Sequence, residues 1–152
     1  MVELVAKAKM PIRCTATQAF DAFVQPDRIT SFWLKSASAP LGPGAQVEWQ
    51  FMVAGASECV NVTAFERPRH IAFTWTGSGL FVDISLVEQQ GGMTVVGVEV
   101  RGFDGDDAMD QIVNATEGFS IVLCDLKVFL ESGRPANLVR DKAALIERTR
   151  DA

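Results

Sequence analysis

The sequence predicts an α+β fold in which a curved antiparallel sheet of six strands wraps around one long C-terminal helix, with two short helices after the first strand. Two patterns carry that expectation. Between residues 46 and 100, apolar side chains alternate with polar ones in short runs separated by Gly-rich turns. That is the period of half-buried strands joined as hairpins. From Met109 to Leu130 the period changes to that of a helix.

Taken in order, residues 2–14 read as the first strand. Thr15 is placed to cap a helix over 16–24, because its hydroxyl accepts from an orphan backbone N–H. Ala19, Phe20 and Phe23 give that helix its apolar stripe. Pro26 opens a second short helix, with Ile29, Phe32 and Trp33 expected on its inner side. The loop Pro40–Gly44 ends the helical pair. Val47, Trp49, Phe51 and Val53 then share one strand face, and residues 58–66 form the next strand. Ile71, Phe73 and Trp75 follow on a further strand, then Val82, Ile84 and Leu86, and lastly Val96, Val98 and Val100.

In the long helix Ile112, Val113, Thr116, Phe119, Leu123, Leu126 and Leu130 recur at helical spacing, and Gly133 is its stop. A helix of about 23 residues spans about 34 Å, enough to cross the sheet. Residues 1–133 are read as the domain and 134–152 as a helical extension packed on it, with Asn137 as the extension's cap and a homodimer contact or a mobile tail as the alternatives.

Composition excludes several classes of function. The chain has 152 residues, 48% hydrophobic and 22% charged, which suits one globular domain. A net charge of −5 argues against a broad nucleic-acid footprint. No apolar tract is long enough for a membrane span, and the N-terminus lacks the pattern of a signal peptide. Cys14, Cys59 and Cys124 are isolated, which suits reduced thiols and a cytoplasmic protein. Cys59 and Cys124 are expected to be small buried hydrophobes.

Chemistry-bearing residues are sparse. His70, the one histidine, follows Pro68-Arg69 and is expected at an exposed turn, without the positioned partner that acid/base catalysis requires. Asp104, Asp106, Asp107 and Asp110 lack calcium-loop spacing and are expected to serve the positive end of the long helix. Glu48, Asp83 and Glu99 face solvent by alternation. No metal site, cofactor or catalytic residue is predicted.

The functional expectation is instead an apolar cavity between sheet and helix. Its predicted lining is Phe32, Trp33, Trp49, Phe51, Val62, Phe73, Trp75, Ile84, Val98, Gly118, Phe119, Val122, Leu123 and Leu126. Gly118 lies inside the long helix, where glycine is unfavourable. Close approach of helix to sheet is the expected reason, and room for a ligand the alternative.

Several segments together resemble the START-like helix-grip (SRPBCC) superfamily, and within it the small bacterial proteins related to the activator of the heat-shock-protein-90 ATPase. The stretch from Ile12 to Asp27 is similar to the family's strand–helix opening, and Phe32-Trp33 to the aromatic pair that follows. Glu66 to Trp75 resembles "D-P-P-R-R-L-x-F-T-W". Thr94 to Val98 with Gly102-Phe103 resembles the last strand. Gly118-Phe119 and Leu123 to Gly133 resemble "G-W-x-x-x-L-x-x-L-K-x-Y-L-E-x-G". The chain departs from the pattern at Thr15, Gln25, Phe119 and Phe129, and in its longer tail. The resemblance implies a helix-grip fold and a co-chaperone-like interaction with a chaperone. Beside it stand the binding of a small apolar molecule, which the inward apolar faces suggest, and a cyclase- or hydrolase-like activity, which needs an inward polar group.

Overall fold

The computed structural model describes residues 3–150; Met1, Val2, Asp151 and Ala152 lie outside the described residues. The elements are β1 (Ala6–Arg13), α1 (Ala16–Val24), α2 (Pro26–Ile29), β2 (Leu34–Ala37), β3 (Gln46–Phe51), β4 (Ser57–Glu66), β5 (His70–Trp75), β6 (Leu80–Gln89), β7 (Met93–Arg101), α3 (Ala108–Ser132) and α4 (Leu138–Arg150). The strands form one antiparallel sheet in the order β1-β7-β6-β5-β4-β3-β2. The chain therefore runs β2 to β7 as a meander and brings β1 in beside β7. Register shifts at Val62/Ala64 and Leu34/Ser36 mark irregularities of the kind that bend a sheet. The sheet curls as a half-barrel around α3, the helix-grip arrangement.

The sheet has seven strands rather than six. The extra one, β2, is a four-residue edge strand, Leu34-Lys35-Ser36-Ala37. It is too short to show a period of its own, and it follows the helical pair without a turn signal. For the same reason α2 is shorter than expected. It ends at Ile29, and Phe32 and Trp33 occupy the turn into β2, both still buried.

Thr15 caps α1 as expected. Its hydroxyl accepts from the Gln18 N–H at 3.1 Å, and the Gln18 side chain accepts from the Thr15 N–H at 2.9 Å, a reciprocal capping box. Gly133 ends α3 in a left-handed conformation, φ 77°, and its N–H donates to the Phe129 carbonyl at 2.8 Å.

The strand alternation reads as expected. Trp49, Phe73, Ile84, Leu86, Val96 and Val98 are buried in the core, while Glu48 is exposed and Asp83 and Glu99 are partly exposed on the opposite face. His70 is half-buried in β5 rather than at an exposed turn, and it does have a positioned partner: its Nε2 lies 2.8 Å from Asp83 Oδ1 of β6 on that outer face. Cys59 is exposed rather than buried, because it alternates with the inward Val60 and Val62 on β4. Cys124 is half-buried. Cys14 is enclosed, and burial pushes its thiol above the ordinary range, which keeps it protonated and unreactive.

Candidate functional site

The hollow is not spread along the whole sheet–helix interface. It lies at one end of the half-barrel, where α4 crosses α3, and its volume is about 250 Å³. Trp33, Phe51, Trp75, Gly118, Phe119 and Val122 border it, all of them expected. The other expected residues, Phe32, Trp49, Val62, Phe73, Ile84, Val98, Leu123 and Leu126, lie deeper and pack against one another in the buried core. Large rings and branched side chains fill that part of the interior, so parity alone does not make an inward residue a wall of a cavity.

The wall is an aromatic cluster. Trp75 stacks on Phe119 with ring centroids 6.0 Å apart and planes 13° apart, and meets Phe51 edge-on at 5.6 Å. Trp33 contacts Trp49 at 5.1 Å and Phe119 at 5.5 Å. Such edge and offset contacts hold each ring in one orientation. The Trp75 indole Nε1 is buried and has no acceptor among the protein's atoms.

Gly118 makes no close approach. A Cβ built on it would meet nothing within 4 Å, and the residue is exposed toward the hollow. With Ala115 one turn earlier, it leaves α3 without bulk where the cavity lies.

Sequence reasoning did not place the tail helix at the site. Val139, Lys142, Ala143 and Ile146 of α4 line the cavity, together with Met52 and Val53 from the loop after β3. The signal was the apolar side of the tail helix, whose target the sequence does not specify. Lys142 is the one charged side chain on the lining, and its Nζ lies 2.7 Å from Glu117 Oε1 of α3. Glu147 Oε1 accepts from the Ala54 N–H at 2.6 Å and ties α4 to the loop after β3.

Asn137 does not cap α4 with its side chain. It takes a positive φ of 61°, and its carbonyl accepts from the Asp141 N–H at 2.9 Å. The cap comes from another helix: Asp125 Oδ2 accepts from the Val139 N–H at 3.1 Å, and Asp125 Oδ1 has no partner. Burial holds the Asp125 carboxyl above the ordinary carboxylate range, with the backbone amides of Val139, Ala136 and Leu138 pulling the other way. Its signal in the sequence was a carboxylate within the apolar stripe of α3, between Leu123 and Leu126. Asp125 and Thr94 are the buried polar residues among those described, and Thr94 donates to the Cys14 carbonyl at 2.8 Å. Among the described residues no group of three His, Cys, Asp or Glu side chains gathers to hold a metal, and no helix is long and apolar enough to cross a membrane.

With this geometry stand the comparisons. The family described as "Activator of Hsp90 ATPase homolog 1-like protein" matches residues 13–131, most of the chain. The chain belongs to that family. The match stops before α4, so the helix that closes the cavity lies outside the matched region. Protein SSP2350 from Staphylococcus saprophyticus is similar at 30% identity and TM-score 0.77, over 87% of this chain and 95% of that one. The Aha1 dimer from Colwellia psychrerythraea superposes with TM-score 0.75 at 17% identity, over 86% of this chain and 98% of that one. DynU16, from the dynemicin biosynthetic locus, does so with TM-score 0.74 at 19% identity, over 86% of this chain and 48% of that one. The latter two likenesses concern the fold. No curated protein matches the chain.

Proposed function

We propose that this member of the activator of Hsp90 ATPase homolog 1-like family binds a small apolar molecule in the cavity beneath α4. The observation that carries the reading is a hollow of about 250 Å³ walled by fixed aromatic rings, at the place where α3 carries Ala115 and Gly118. Pockets for small molecules run from about 300 Å³ upward, so this one suits a compact ligand of one or two rings. Burial of apolar area, at roughly 25 cal/mol per Å², supplies the affinity. Catalysis is not part of the reading: Asp125, the buried acid, is engaged at the start of α4 and does not border the cavity. Action on a chaperone rests on the family description, and fold does not fix function. A changed chaperone ATPase rate on adding the protein is the test of that alternative.

Native mass spectrometry of the purified protein with added tetralin tests the cavity. The wild type is expected to carry the ligand. Gly118→Trp, whose indole would occupy the hollow, is expected not to. Equal adducts on both proteins, or none on the wild type, would defeat the reading.

A further inference from the structure

The one charge on the cavity wall narrows the class of ligand. Lys142 of α4 borders the hollow, and no other residue of the lining carries a charge, a hydroxyl or an amide side chain. Its side chain is 36% exposed, so it stands where the hollow meets solvent rather than deep among the rings. A lysine so placed lays its stem on apolar surface and keeps its ammonium in water. The family match ends at residue 131, so this cation lies on a part of the wall that the family pattern does not supply.

The ammonium is held by an exchangeable partner. Its Nζ lies 2.7 Å from Glu117 Oε1, and the Glu117 side chain is 56% exposed and is not part of the lining. A pair this open to water is worth about 0–1 kcal/mol. The lysine stem is flexible, so the ammonium can leave Glu117 for another anion at the mouth of the cavity at small cost. A carboxylate lodged among Phe51, Trp75 and Phe119 would instead be unpaired and costly. A ligand's anion therefore belongs at the end of the molecule that reaches Lys142, with an uncharged body inside.

We propose that the ligand is a compact amphipathic anion, whose body of one or two rings fills the hollow and whose terminal carboxylate replaces Glu117 on Lys142. This rests on the cavity-binding reading above and adds to it the ligand's charge and the end by which it is held.

The test compares two probes of one skeleton and size, 2-naphthoate and its neutral amide 2-naphthamide, with tetralin as the control for the cavity itself. Affinities are measured by calorimetry. Naphthoate is expected to bind about three- to fivefold more tightly than naphthamide, the worth of one exposed ion pair, and to lose that preference in high salt. Lys142→Met is expected to bring the two affinities together. Glu117→Gln, which removes the competitor, is expected to tighten naphthoate further and to leave naphthamide little changed. A Lys142 that only pins α4 to α3 would show the reverse, with Glu117→Gln weakening both probes. Should Lys142→Met fail to fold, the wild-type ratio and Glu117→Gln decide alone. Tetralin binding together with equal affinities for the two naphthalenes in wild type and Glu117→Gln overturns the anion proposal and leaves the cavity reading standing. A naphthoate preference that survives Lys142→Met overturns the part given to Lys142. Binding of none of the three probes overturns both readings.

Discussion

The two ends of the half-barrel obey the same alternation and finish differently. At the filled end Trp49, Phe73, Ile84, Leu123 and Leu126 meet with no hollow among them. At the other end Trp33, Phe51, Trp75 and Phe119 are equally large, and a cavity remains. The sheet contributes aromatic bulk to both, so the difference lies on α3. Facing the filled end it carries Leu123 and Leu126; facing the hollow end it carries Phe119 and Val122 but also Ala115 and Gly118, which leave the gap. Parity decides which side chains point inward, and the size of the residues opposite decides whether they touch.

Two carboxylates of opposite character fix α3 to its neighbours. Glu131, in the last turn of α3, accepts from the Arg13 N–H at 2.9 Å and from Lys127 Nζ at 2.6 Å, while Lys127 also reaches the Pro11 carbonyl. This cluster fixes α3 to β1. The backbone N–H of Arg13 and the Lys127 ammonium hold the Glu131 carboxyl down at about 2. Asp125, farther back on α3, holds the start of α4, and burial raises its carboxyl.

The largest way to break the comparison is truncation of an aromatic ring at each end. Phe73→Ala is expected to cost about 3–5 kcal/mol, because a fully enclosed ring leaves a cavity its neighbours fill only in part. Phe51→Ala, half-buried beside a hollow that already exists, is expected to cost less than about 2 kcal/mol. Urea unfolding of both variants measures the gap; equal losses would mean the ends are packed alike.

Acid separates the two carboxylates of α3 next. The stability that Glu131 contributes is present above its ordinary value of 4.5 and is lost as pH falls from there toward about 2. Glu131→Gln should therefore lower the urea midpoint at neutral pH and flatten its decline over that window. Asp125 has the other sign. Its folded carboxyl is raised, so the cost of ionising it is absent in acid and appears as pH rises through the raised value. Asp125→Asn keeps an acceptor for the Val139 N–H without the buried charge. Its midpoint should match the wild type in acid and exceed it modestly at neutral pH. A neutral-pH loss would mean that the charge on this cap outweighs its burial.

These contrasts show how far the sequence could be read. The fold was legible because alternation and helical period are local: Val82, Ile84 and Leu86 mark their face without reference to anything distant. The edge strand Leu34–Ala37 was not, since four residues carry too little period. The aromatic walls Trp33, Trp75 and Phe119 were legible, but the boundary between filled and hollow was not. It depends on which rung of α3 stands opposite which strand, a long-range register. The lid was illegible for the same reason. Nothing near Val139 or Ile146 in the chain states that they lie over Phe119, and nothing near Leu138 states that an aspartate thirteen residues earlier starts its helix.

Gly118 is the smallest change that sharpens the comparison, and it acts on the element that creates the difference. Glycine inside a helix costs about 0.5–1 kcal/mol relative to alanine through its larger loss of backbone freedom. A methyl group there would meet no atom within 4 Å, so nothing in the packing offsets that gain. Gly118→Ala is therefore expected to raise the thermal midpoint by about 2 °C for a domain of this size. Its methyl would take a little of the hollow, so tetralin affinity should fall slightly rather than vanish. A lowered midpoint would mean that α3 lies closer to its neighbours than the open space at Gly118 implies, and the hollow end would then be only a looser version of the filled one.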